Sequence, residues 1–128
     1  MISEFKDYLK TLGVAQHYSI GKIDNSKEYS LGVYPNYPQR RIESVGKESS
    51  YGTYGIKLLL HWNKNAKETE QSALDLFEQI RYITDLDIGD IHIQYFDLEF
   101  DEPMFMGTDE NGVYEYVISG VIYYRKEV

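Results

Sequence analysis

The chain has 128 residues, of which 42% are hydrophobic, and this is enough for one domain with a buried core. Its formal net charge of −8 argues against a dedicated nucleic-acid-binding protein, because phosphate binding depends on clustered Lys and Arg. It has no cysteine, which excludes disulfides, a thiolate nucleophile and a cysteine zinc site. The charged N-terminus argues against a signal peptide, and no apolar run predicts a membrane span.

A short first helix is predicted by the helical spacing of Ile2, Phe5 and Leu9. Ser3 is its expected N-cap, and Gly13 fits the C′ position after its last turn. A hairpin follows in the prediction, with strands at 17–23 and 29–34 around the polar turn at 24–27.

The segment 35–53 is predicted to be irregular, because Pro35 and Pro38 cannot donate to a sheet ladder. Within it, 39–45 is expected to form a short edge strand and 46–52 a loop. An irregular stretch this long in a small domain is usually functional or mobile. It is the best candidate in the chain for a contact arm, and the alternative is a flexible, solvated loop.

The middle of the chain predicts a strand and then a helix. Residues 55–62 are almost continuously apolar, as in a central strand. Asn65 is the expected N-cap of a helix over 66–83, whose apolar stripe comprises Ala73, Leu76, Phe77, Ile80 and Ile83. An acidic loop at 84–90, a strand at 91–96 and a charged run at 97–102 follow.

The most informative segment is 104–125, where Asn111-Gly112 predicts a hairpin with a type I′ turn. The strand after it is apolar or aromatic on both faces. One face carries Ile118 and Ile122 and the other Val117 and Val121. Such a strand must be covered on both sides, by its own domain or by another copy.

These elements predict a single α+β domain over 1–128: a small antiparallel or mixed sheet, packed by one long helix and a short N-terminal one. Thirteen tyrosines fit either strand propensity or protein interfaces, and the two explanations have equal weight.

Motifs for chemistry are absent from the sequence, so we predict no enzyme and no cofactor. The glycine-rich phosphate-binding motifs G-x-x-x-x-G-K-[ST] and G-x-G-x-x-G are absent, and so is the G-x-S-x-G nucleophile motif. His17, His61 and His92 are far apart and follow no metal-binding pattern, so we predict no metal site. Around Gly112, an EF-hand register would place Gly107 and Ile118 where carboxylates are required.

Two motifs carry a resemblance to a known family. H-W-N-K-N-A-K-E-T-E occupies 61–70, and D-E-N-G-V-Y-E-Y occupies 109–116. Together with V-Y-P at 33–35 and R-R-I at 40–42, they resemble the minor capsid or tail-terminator proteins of long-tailed bacteriophages or prophages of Gram-positive bacteria. The resemblance spans about residues 31–125. The family's G-G after R-R-I is replaced here by 43–46, E-S-V-G.

The resemblance implies a structural virion protein without enzymatic activity. Family members form a ring, commonly of six subunits, that caps the head-proximal end of the tail tube and presents a surface to head–tail connector proteins. It implies assembly in the host bacterial cytoplasm and a final place in the virion tail. The implied partners are other copies of the chain, the tail tube protein and the connector, with no membrane and no sequence-specific nucleic acid.

A ring needs heterologous interfaces, in which one patch meets a different patch on the next copy. Aromatic and arginine residues are typical interface anchors and are dense in and near the predicted arm. We therefore hypothesise subunit contacts at six residues: Tyr34, Tyr37, Arg40, Arg41, Tyr51 and Tyr54. The acidic charge would suit a lumen through which DNA slides, although simple solubility explains it as well.

Two alternatives stay open at this point. The protein could belong to another ring of the virion, such as a head-completion or connector component. It could also be a small host binding protein or enzyme of unknown substrate, which would require a concave pocket with converging polar groups.

Overall fold

The computed structural model describes residues 1–36 and 51–126, without the side chains of Tyr51 and Lys126. The described residues form a mixed α/β fold with two helices and seven strands. In chain order the elements are α1 (Ile2–Thr11), β1 (His17–Ile20), β2 (Ser30–Pro35), β3 (Tyr51–His61), α2 (Ala66–Arg81), β4 (Thr84–Ile88), β5 (Ile91–Leu98), β6 (Met104–Thr108) and β7 (Tyr114–Lys126).

The strands form one sheet in the order β1-β2-β3-β7-β5-β4, and β6 pairs with β7 beside this path. Strand β7 is the centre of the sheet. Along one edge it pairs with β3 over eleven residues. Along its other edge it pairs first with β6, through residues 114–117, and then with β5, through 120–126. Each half of the sheet is therefore joined to the other through β7.

Strands β1 and β2 pair in parallel, so the predicted hairpin is wrong. Gly21 (φ +76°) and Tyr29 (φ +57°) turn the chain back to the start of β1 before β2 begins. On the way, the connection buries Ile23, whose Cγ2 would lie only 2.7 Å from a Cβ added to Gly32. The polar turn at 24–27 is therefore part of a crossover that covers β2.

The acidic loop predicted at 84–90 is also wrong, because Thr84–Ile88 forms the edge strand β4. Asp85 (φ +50°) interrupts the pairing with β5, and the side chains of Asp85 and Asp87 stay exposed. Acidic residues are poor strand formers, but at a sheet edge their side chains remain in water.

The ends of the predicted arm belong to strands. Pro35 closes β2, and residues 51–53 open β3. The rest of the arm, including the strand expected at 39–45, lies outside the described residues.

Helix α1 begins without a side-chain cap, so the predicted role of Ser3 is wrong. Met1 is the N-cap, and its carbonyl accepts a hydrogen bond from Phe5 N at 3.0 Å. Gly13 has a φ of +65° after the last turn, as predicted for C′. Phe5 and Leu9 are completely buried and hold the helix on the core.

Helix α2 begins as predicted, because Asn65 Oδ1 accepts a hydrogen bond from Glu68 N at 3.1 Å. It ends two residues before the predicted end, and Ile83 is buried just beyond it. Its buried stripe joins one core with α1 and with alternate residues of β2, β3, β5 and β7. No helix in the described part of the chain is long and apolar enough to cross a membrane.

The C-terminal hairpin is confirmed, but its turn is not type I′. Only Gly112 (φ +82°) has a positive φ in the turn, whereas type I′ requires two such residues. Asp109 N donates to Val113 O at 2.9 Å, which closes a three-residue loop with glycine in the left-handed position. Both faces of β7 are buried as predicted: Ile118 and Ile122 in the core, Val117 and Val121 opposite.

Candidate assembly surfaces and the motif junction

The two motifs that carry the family resemblance lie side by side in the fold. His61 ends β3 opposite Glu115 of β7. Trp62 N donates to Tyr114 O at 3.0 Å, and Tyr114 N donates to Asn63 O at 2.8 Å. We call this the motif junction (residues 61–65 and 109–115). It joins the start of α2 to the start of β7.

The junction encloses the fully buried imidazole of His61. Its Nδ1 lies 3.0 Å from Oε2 of Glu115, and its Nε2 lies 3.0 Å from the carbonyl oxygen of Asn25. Both neighbours are hydrogen-bond acceptors, so both nitrogens can donate together only in the imidazolium form. The ring thus ties the crossover between β1 and β2 to β7.

Asp109 shapes the hairpin beside this histidine. Its Oδ1 accepts hydrogen bonds from Asn111 N and Val113 N, both at 2.9 Å, while its Oδ2 lies 3.8 Å from His61 Nε2. These contacts, led by the bond from Val113 and including the charge of His61, hold the pKa of Asp109 below its ordinary value. The side chain of Asp109 therefore stabilises the turn of the hairpin.

Asn63 fixes the turn between β3 and α2. Its Nδ2 donates to Glu68 Oε2 at 2.9 Å, and its Oδ1 accepts from Asn65 N at 2.9 Å and from Thr69 Oγ1 at 3.0 Å. A buried amide satisfied in this way stabilises one conformation of the turn. Hydrogen bonds of Asn63 thus connect the end of β3 to the start of α2.

Exposed apolar side chains lie on β6, which pairs with the start of β7. The exposed fractions of Phe105 and Met106, on β6, are 59% and 55%. A groove of about 250 Å³ runs between α2 and β6; we call it the acidic groove. It is lined by Glu70, Leu74, Glu102, Pro103, Phe105 and Tyr116.

A second groove, of about 300 Å³, lies farther along α2. Its walls comprise Phe77, Arg81, Phe96, Leu98, Phe100 and Asp101. Phe100 is nearly half exposed. Both grooves border α2 and the segment between β5 and β6, so apolar surface is concentrated in this part of the molecule.

Of the six residues in the interface hypothesis, only Tyr34 and Tyr54 have described side chains. Tyr34 pairs with Lys57 on the face of the sheet opposite the helices, whereas Tyr54 packs partly buried against the core. Burial raises the pKa of Tyr34, and the charge of Glu115 adds to this effect. Tyr37, Arg40 and Arg41 lie in the part of the chain that the structure does not describe, and the hypothesis stays a prediction.

Sequence reasoning missed the exposed residues around α2 and β6. The alternation of Phe105 and Met106 with polar neighbours gave no clear strand pattern, and Leu74 is adjacent to the buried stripe of its helix. The exposure of Phe105 and Met106 follows from the position of β6, which lies at the sheet margin beside β7.

Among the residues that the structure describes, no group of three or more His, Asp or Glu side chains is placed to hold a metal ion. Glu99, in the charged run, accepts a hydrogen bond from Ser119 Oγ at 2.6 Å, and Ser119 is buried. His92 lies 2.7 Å from Asp87 and 3.2 Å from Asp85 at the open edge of β4.

A polar cavity of about 380 Å³ lies between α1, β1 and the following crossover. Lys10, His17, Asp24 and Lys27 are among its lining residues. Asp24 is held by Ser26, whose backbone N–H and hydroxyl both donate to it and lower its pKa. This cavity is a concave feature of the kind that a small-molecule binding protein would use.

Comparison of the chain with models of known families found no match, and comparison with curated proteins found none.

Proposed function

We propose that the chain is a structural virion protein: a tail terminator that caps the phage tail tube as a ring and helps to join the tail to the head. The observation that carries the proposal is the exposed apolar surface around α2 and β6. Large apolar side chains exposed together at a sheet margin are typical of protein interfaces. The family resemblance of the two motifs, which meet in the junction, supports the same assignment.

The fold belongs to the same proposal. We assign the domain to the small α+β class of these proteins, with α2 as the long helix that covers the sheet. In a ring of this class the chain would contact further copies of itself, the tail tube protein and the connector. It would be assembled in the cytoplasm of the host and remain at the head-proximal end of the tail.

The net charge of −8 is compatible with this role. DNA passes through such a ring, and an acidic lumen repels the phosphate backbone and prevents adhesion. The acidic β4 edge and the acidic groove are two places where carboxylates are exposed together.

The direct test is the mass of the protein in solution, measured by light scattering behind a sizing column over a range of protein and salt concentrations. One copy has a mass of 15.0 kDa, so a ring of six has about 90 kDa. Rings of that mass, visible by negative-stain microscopy, would support the proposal. A monomer that neither assembles at high concentration nor binds tail tubes would contradict it.

The same measurement tests the arm. Replacing Arg40 and Arg41 by Glu should dissociate the ring, because charge reversal at an interface anchor costs several kcal/mol. A ring that is unchanged on dilution would exclude these residues from the subunit contacts. A thermal-shift screen with metals and nucleotides is the companion experiment, because a ligand for the polar cavity would raise the melting temperature.

A further inference from the structure

The acidic groove has the chemistry of a receptor for a positively charged side chain with an apolar stem. Phe105 and Tyr116 supply aromatic faces, with ring centroids 5.4 Å apart. Glu70 and Glu102 lie on the same walls. Burial raises the pKa of Tyr116, and the charges of both glutamates contribute.

Arginine fits such a groove better than lysine. Its guanidinium is planar, so it stacks on an aromatic ring while it donates two parallel hydrogen bonds to a carboxylate. Its aliphatic stem would cover Leu74, which is 39% exposed. An arginine bound in this way would offset the charge of one glutamate and remove apolar surface from water.

The chain itself contains four arginines, and two of them are already engaged. Arg81 pairs with Glu78 at 3.6 Å and lies over the ring of Tyr82, and Arg125 also has a partner within the fold. The remaining two, Arg40 and Arg41, are adjacent in sequence and follow Tyr37 and Pro38. They are the arginines whose charge complements the groove.

The reach of the chain favours a second copy as the source of these arginines. Asn36 is the last described residue before them. Its backbone N–H donates a hydrogen bond to the carbonyl oxygen of Gly55, which pairs with Val121 of β7. The groove lies beside Tyr116, on the far side of β7. From Asn36 it is about 20 Å away, three strand spacings across the sheet and about five residues along it. The backbone from residue 36 to residue 41 spans at most about 18 Å, so these arginines could reach the groove of their own chain only if the segment were almost fully extended towards it.

We propose that the acidic groove of one copy binds the Arg40-Arg41 segment of the next copy. This inference rests on the proposed ring and names its two complementary patches. The groove and the arginine segment are different parts of the chain, so the contact is heterologous and repeats from copy to copy. Association of this kind closes into a ring when the rotation between copies allows it.

The first experiment measures binding of the segment directly. A fluorescent peptide of residues 35–46 is titrated with the full chain carrying Arg40→Glu and Arg41→Glu, so that no intact segment competes for the groove. We expect saturable binding, weakened at least tenfold by Glu70→Gln with Glu102→Gln. The matched control is Asp90→Asn with Glu110→Gln, which removes the same charge at exposed positions elsewhere and should leave binding within twofold. Absence of binding, or equal weakening by both pairs, would overturn the proposal.

The second experiment tests whether the contact joins two copies. One chain carries Arg40→Glu and Arg41→Glu, and the other carries Glu70→Lys and Glu102→Lys. Each should remain monomeric alone, and their mixture should assemble, because every acidic segment then meets a basic groove. Rings formed by both single variants would overturn this proposal and leave the tail-terminator proposal intact. A third outcome concerns the wild-type monomer. If it fails to bind the peptide while the Arg40→Glu, Arg41→Glu chain binds it, the segment occupies the groove of its own chain. That result would overturn the second copy as partner.

Discussion

Nδ1 of His61 lies 3.0 Å from Oε2 of Glu115, and this contact joins two segments that are more than fifty residues apart in sequence. The imidazole is completely buried, whereas the glutamate side chain is 20% exposed. Removing the carboxylate would leave a buried donor without its partner, which costs more than the bond itself contributes.

We therefore predict that Glu115→Ala lowers the free energy of unfolding by about 1–3 kcal/mol. The measurement is urea denaturation followed by tryptophan fluorescence, since Trp62 adjoins the histidine. Glu110→Ala, an exposed position in the same hairpin, is the control and should change stability by less than about 0.5 kcal/mol. Equal effects of the two substitutions would show that the contact with His61 contributes nothing specific.

Two glycines of the C-terminal hairpin and strand should respond to alanine for different reasons. At Gly112 there is free space, but the φ of +82° makes an L side chain unfavourable, so Gly112→Ala should cost about 1 kcal/mol. At Gly120 a Cβ would lie 2.5 Å from the carbonyl oxygen of Asp97, and backbone must move. Gly120→Ala should therefore cost more, about 3 kcal/mol or above. The same denaturation experiment gives both values, and the reverse order would contradict the described backbone.

His92 should titrate above the ordinary range of histidine. The hydrogen bond to Asp87 is the main cause of its raised pKa, and the bond to Asp85 adds to it. A raised folded-state pKa stabilises the fold below the unfolded pKa of about 6.5, and this contribution is lost as the pH rises through the folded pKa. Asp87→Asn should lower the pKa of His92 more than Asp85→Asn does, as measured by NMR titration of the ring protons. Identical titration in wild type and both variants would exclude the two contacts.

The start of α2 offers a test of local structure. Asn65→Ala removes the acceptor for Glu68 N and should lower stability by about 1 kcal/mol. Lys64→Ala, at the preceding exposed position, is the control and should have little effect. If thermal unfolding shows the same midpoint for both variants, the cap does not contribute to the fold.

The exposed residues of β6 should affect assembly more than folding. Phe105→Ser with Met106→Ser removes apolar surface that is more than half exposed, so self-association should weaken at least tenfold. The monomer should stay folded, with a melting temperature lowered only by the loss of the ring contact between Phe105 and Tyr116. Tyr82→Ser, at a side chain with an exposed fraction of 71%, is the control and lies beyond the acidic groove. Sedimentation at several concentrations measures the effect. Unchanged association would place the subunit contacts elsewhere.

The sequence predicted those elements of the fold that depend on interactions between residues close together in the chain. The stripe from Ala73 to Ile80 and the cap at Asn65 are set within a few residues, and the structure has them as expected. The hairpin at Gly112 is local as well, although its turn type depended on the side chain of Asp109.

Long-range pairing decided what the sequence could not predict. No feature of the sequence near Asn25 indicates that its carbonyl oxygen lies within hydrogen-bond distance of His61. Without that contact, a simple hairpin was the expected structure for residues 17–34. Likewise, Asp85 and Asp87 suit a strand only because β4 lies at an open edge. The acidic groove combines residues from α2, β6 and β7, so it has no signature in any one segment.

The central place of β7 also imposes an order on synthesis. Until residues 114–126 have left the ribosome, β3 and β5 each lack a neighbour, and the two halves of the sheet are not joined. Unpaired strands of this length invite pairing with other chains. Nascent chains should therefore be most prone to aggregation just before completion of β7, and the sheet should close in a single late step.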